Sequence, residues 1–72
     1  MSAKEMFEKL GFKIYKDYRF KTDNDLIAYT DDDTYIYFYK NKIIEFRNDA
    51  GVDYAIFKAI NKQIEELGWN NE

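Results

Sequence analysis

The sequence predicts an α+β domain: a four-stranded antiparallel meander with a short N-terminal helix and a longer C-terminal helix packed on one face, in the order α-β-β-β-β-α. Three observations lead there. A Ser-x-x-Glu signature opens the chain at Ser2 and Glu5, where hydroxyl and carboxylate each satisfy a backbone N–H left unpaired at a helix start. The middle is rich in aromatic and β-branched residues broken by short polar clusters, the texture of strands joined by tight turns. Ile56, Ile60, Ile64 and Leu67 then recur at helical spacing near the end.

The first helix places Met6, Phe7 and Leu10 on one side, and Gly11 can take the left-handed conformation that ends a helix and folds Phe12 back onto Phe7. FKIYKDYRF (12–20) follows as a long, bulged first strand, and TDND (22–25) as a turn. LIAYT (26–30) is the second strand, DDD (31–33) a tight turn, and TYIYFYK (34–40) the third strand. Lys40, Asn41 and Lys42 make the next turn, with Asn41 expected at positive φ, and IIEFRN (43–48) is the fourth strand. Turns this short join antiparallel neighbours, hence the meander.

Asp53 is a plausible cap for the last helix, with Asn48 and Asp49 as earlier alternatives, and Phe57 and Ala59 flank its apolar stripe. Gly68 ends it, placing Trp69 over Ile64 as Phe12 covers Phe7. The echo of EKLGF (8–12) in EELGW (65–69) is thus one helix-stop instruction used twice, not an internal repeat.

Both helices must bury their stripes on one face of the sheet. Ile36, Phe38, Ile44 and Phe46 are assigned to that face. Alternation then sends Tyr35, Tyr37 and Tyr39 the other way, with Ile43, Glu45 and Arg47. Residues 1–72 carry no linker and no composition break, so they form a single small domain. With no cysteine and no histidine, stability rests on packing, to which seven Tyr, six Phe and one Trp contribute, or on oligomerisation.

The same absences bear on chemistry. Nucleophile and base pairs of the Ser-His or Cys-His kind cannot be assembled, and Ser2 is the only serine, so no catalytic residue is assigned and the chain is read as a non-enzyme. The acidic runs 22–25 and 30–34 lack the spacing of an EF-hand loop, and the three glycines are too far apart for a phosphate loop. No metal and no cofactor is therefore assigned. There is no apolar run long enough to cross a membrane, and a net charge of −3 argues against generic attraction to nucleic acid or anionic lipid.

What remains is the aromatic row. Tyr15, Tyr35, Tyr37, Tyr39 and Ile43 form the candidate partner-binding site, an apolar patch with hydroxyl tips of the composition common at protein interfaces. The partner is a protein, which includes a second copy in a homodimer. The rival reading is cross-strand packing that only stabilises the sheet. A second functional reading stacks single-stranded bases on the rings, with Lys13, Lys16, Arg19, Lys21, Lys40, Lys42 and Arg47 along the backbone; a mimic of DNA is weaker, since 11 basic residues dilute 14 acidic ones.

MSAKEMFEKLGF, YIYFYKNKIIEF and AINKQIEELGW together resemble a group of small, mostly uncharacterised proteins encoded by phages and prophages of Gram-positive bacteria. The resemblance spans most of the chain and is most specific over 59–69. Members often carry an ITMEELKAI-like lead into the last helix, where this chain has GVDYAIFKAI. The resemblance supplies no catalytic residue. It implies a cytoplasmic setting in the bacterial host cell and an accessory role exerted by binding a host or phage protein.

Overall fold

The computed structural model describes residues 1–16, 24–48 and 51–70. Their elements are α1 (Ala3–Lys9), β1 (Lys13–Ile14), β2 (Asp25–Thr30), β3 (Tyr35–Tyr39), β4 (Ile44–Arg47) and α2 (Tyr54–Glu66). The four strands pair antiparallel in sequence order, β1-β2-β3-β4, so the fold is the expected α+β meander with a helix at either end.

Both helix starts and both stops follow the local signals. The Glu5 N–H donates to Ser2 Oγ at 3.1 Å and the Ser2 N–H donates to Glu5 Oε1 at 2.9 Å, a reciprocal box. Asp53, not Asn48, caps α2, its Oδ1 accepting the Ile56 N–H at 2.8 Å, and the other alternative, Asp49, lies outside the described residues. At the end of α1, Gly11 (φ 90°) donates to Glu8 O and Phe12 to Phe7 O, each at 3.0 Å. Gly68 (φ 76°) repeats this on Glu65 O and Trp69 on Ile64 O. These paired bonds are the Schellman motif at each end.

Three expectations need correction. The first strand is Lys13–Ile14, extended by a single bond from the Tyr15 N–H to Ala28 O at 2.8 Å; residues 17–20, assigned to that strand, and 22–23 of the following turn lie outside the described residues. Asp25 belongs to β2, and a register shift between Asp25 and Ile27 accommodates Leu26 as the extra residue of a bulge. Lys42 (φ 66°), not Asn41, takes the left-handed conformation. The Lys42 N–H bonds Tyr39 O and the Tyr39 N–H bonds Ile43 O, both at 3.0 Å. That is a three-residue hairpin loop, which needs its left-handed residue in third place.

The core lies between the helices and one face of the sheet. Phe7, Phe12, Tyr29, Ile36, Phe38, Ala59 and Ile60 are buried in it, with Ile14, Ile27, Ile44, Phe46, Ile56, Ile64, Leu67 and Trp69 half-buried around them. Phe12 meets Phe7 edge-on at 5.6 Å, and Trp69 reaches Phe38 at 6.3 Å. Phe57, expected beside the stripe, is 55% exposed. The buried Gln63 faces inward as well, its side-chain oxygen accepting a hydrogen bond from a phenol of the sheet.

Candidate functional site

Residues of one row in an antiparallel sheet point to the same side. Tyr15 lies opposite Ala28 through its backbone bond, Ala28 opposite Tyr37, and Tyr37 opposite Glu45. The next row joins Lys13, Thr30, Tyr35 and Arg47, and beyond Tyr37 on β3 stands Tyr39, bonded across the hairpin to Ile43. The core residues Tyr29, Ile36 and Phe38 alternate with these positions, so the helices lie on one face and the tyrosine rows on the other.

Four of the five sequence-predicted residues meet as one cluster. Along β3 the rings of Tyr35 and Tyr37 are near-parallel at 6.5 Å and those of Tyr37 and Tyr39 at 6.2 Å, the separation set by two-residue spacing in a strand. Tyr15 meets Tyr35 edge-on at 5.2 Å and Tyr37 at 6.4 Å. Strands β1 and β3 are two ladder spacings apart, about 9.5 Å, so Tyr15 and Tyr37 lean toward each other above Ala28, which is 2% exposed. Ile43 is 55% exposed and precedes β4, at the end of the row beside Tyr39.

Two charged residues tie this cluster together. The Tyr39 hydroxyl donates to Glu45 Oε1 at 2.6 Å, while Arg47 Nε donates to Glu45 Oε2 at 3.0 Å, with Nη2 also at 3.0 Å. The Arg47 guanidinium lies 5.2 Å from the Tyr37 ring centre, a cation–π distance. Hydrogen bonds from Tyr39 and then Arg47 hold the Glu45 carboxyl below its ordinary range. Burial first, and the Glu45 bond second, push the Tyr39 hydroxyl up, and burial does the same for Tyr37. All four phenols are half-buried. The arrangement is a preset apolar platform with hydroxyl tips, one guanidinium and one carboxylate, suited to non-covalent recognition.

Among the described residues the basic side chains do not form one track. Lys13 pairs with Asp32 at 3.5 Å at one end of the face, Arg47 is engaged by Glu45, and Lys40 and Lys42 sit in the hairpin loop at the other end. Arg19 and Lys21 lie outside the described residues. The acidic turn has a structural occupation: Asp31 Oδ1 accepts the Asp33 and Thr34 N–H groups at 3.0 and 2.7 Å, and Asp32 is left-handed at φ 77°. Among the described residues no group of three or more acidic side chains is gathered so as to hold a metal, and no helix is long and apolar enough to cross a membrane.

Two things escaped sequence reasoning. The carboxylate that clamps the platform is Glu45, whose two-residue spacing from Arg47 was the available signal. Tyr29 faces the core, where its hydroxyl donates to Gln63 Oε1 at 2.6 Å and its ring stacks on Phe7 at 4.0 Å; alternation from Ile27 would have separated it from the other tyrosines. Compared with protein-family models, curated proteins and solved structures, the chain matches none.

Proposed function

We propose that this protein is a non-enzymatic binding module that docks a protein partner on its tyrosine face, as an accessory factor of phage or prophage origin in the cytoplasm of a bacterial host. One observation carries the reading: Tyr15, Tyr35, Tyr37 and Tyr39 lie together on the sheet face opposite both helices, with Tyr39 held by Glu45 and Tyr37 under Arg47. Aromatic rings fixed before binding lose little entropy on docking, and tyrosine and arginine are the residues that dominate interface energetics. The phage setting is supported by the resemblance of the opening, central and closing segments.

Tyr37→Ser removes the central ring and is the test. Capture from host lysate, with and without phage proteins, should retain a partner on the wild type and lose it on the variant, while unfolding stays cooperative. Equal capture by both chains rejects the face, and loss of cooperative unfolding reassigns the rings to structure. Single-stranded nucleic acid is the second reading, favoured by the three near-parallel rings of β3. It requires oligonucleotide affinity that falls steeply with salt, and no binding at low salt removes it.

A further inference from the structure

The two edges of the sheet differ. β1 brings two residues to the ladder, whereas β4 is a four-residue terminal strand that pairs, among the described residues, with β3 alone. Natural edges are commonly guarded by proline, lysine or a bulge. The chain has no proline, and β4 (IEFR) carries instead one acid and one base two positions apart.

The direction of the β4 backbone follows from the hairpin. Tyr39 N–H bonds Ile43 O, and bonded pairs alternate along an antiparallel ladder, so Tyr37–Glu45 and Tyr35–Arg47 are the next two. Ile44 and Phe46 therefore turn their N–H and C=O groups away from β3, toward the edge where no other described strand pairs. Their side chains lie half-buried against the core, which leaves Phe46 at its rim.

We infer that this edge pairs antiparallel with the same edge of a second copy, about a two-fold axis at Phe46. Charge selects the register. With Phe46 opposite the second copy's Phe46, their backbones exchange both hydrogen bonds, and Glu45 of each copy falls opposite Arg47 of the other. Those two pairs are the non-bonded kind, in which side chains approach most closely. Sliding by one bonded pair in either direction sets Glu45 against Glu45 or Arg47 against Arg47, and slides of a single residue oppose outward-turned backbone to inward-turned backbone. An intrastrand Glu–Arg pair is thus self-complementary in one antiparallel register.

A separate observation on the helix layer points the same way. α1 packs against α2 and β1, and the α2 residues on that side include buried Ala59 and Glu66, whose Oε2 accepts the Ala3 N–H at 2.8 Å. At about 3.6 residues per turn, Phe57 falls on the opposite flank of α2, the β4 side. Edge pairing brings the second copy's α2 to that flank and covers a phenylalanine that is otherwise 55% exposed. The axis is perpendicular to the sheet, so the two tyrosine faces end side by side on one wider sheet and the helices stay together on the other.

Sedimentation equilibrium across a wide concentration range tests this. The wild type should approach dimer mass. Glu45→Arg should raise the dimer Kd about tenfold or more, and the double change Glu45→Arg with Arg47→Glu should restore it, since cross-strand charge pairs reward opposite and penalise like signs. Phe57→Glu, at an exposed helix position remote from Glu45 contacts, should also weaken the dimer, whereas Tyr37→Ser should leave it intact. A chain that stays monomeric up to NMR concentrations overturns the proposal and leaves the edge to a strand of another protein. Dimerisation abolished by Tyr37→Ser but untouched by Glu45→Arg and Phe57→Glu overturns it too, and moves self-association to the tyrosine face.

Discussion

Tyr29 shows how one atom sorts a residue. Four of the seven tyrosines read as surface features, whereas this ring fills the core, where Gln63 offers its hydroxyl an acceptor at 2.6 Å. Tyr29→Phe keeps the ring but strands a buried amide oxygen, and should cost about 1–3 kcal/mol in denaturant titrations at neutral pH. Burial raises the Tyr29 hydroxyl from 10.0 to about 12, so the neutral phenol is favoured by folding. Its contribution is complete below pH 10 and is lost as pH climbs toward 12. Wild-type stability should fall across that window, and the Tyr29→Phe chain should show a shallower fall. Glu45 has the opposite sign: its carboxyl is lowered from 4.5, so its contribution is present above that pH and fades on acidification below it. Glu45→Gln should flatten the acid limb of a stability profile.

Element ends were the most legible part of the chain, because a cap is a contact over three residues and needs no tertiary partner. Ser2, Gly11, Asp53 and Gly68 all act as their chemistry dictates. Gly68 has open space around its missing Cβ, so strain at φ 76° is the whole cost of a substitution. Gly68→Ala should lower stability by about 1–2 kcal/mol in thermal or chemical unfolding, with Gly68→Asn milder. Strand ends were less legible. The alternation of 12–20 reads as strand to its end, and the described part of that stretch meets β2 at Lys13, Ile14 and Tyr15, while Phe12 stays outside the ladder. The hairpin misled for a related reason: Asn41 has the better propensity, while loop geometry assigns positive φ to Lys42.

For the whole molecule, the two-sided sheet was legible because β3 alternates tyrosine with Ile36 and Phe38 without interruption. That strand fixed the core face and the candidate site together. The clamp by Glu45 and the depth of Tyr29 depend on contacts between elements distant in sequence, which no local pattern encodes. A domain this small has little reserve, its net stability being of order 5–15 kcal/mol at most. Phe7 joins α1 to the sheet, stacking on Tyr29 at 4.0 Å and meeting Phe12 at 5.6 Å. Phe7→Ala should cost about 3–5 kcal/mol, enough to collapse amide dispersion in a two-dimensional NMR spectrum or bring the melting point near room temperature.

The methyl of Ala28, roofed by two leaning phenols, makes β2 a spacer whose height sets the level of the platform above it. Ala28→Leu would deform the face by insertion, retaining every hydroxyl and charge while prising Tyr15 from Tyr37. A partner that reads contour would be lost on that chain, and one that reads only hydrogen-bonding groups would still dock.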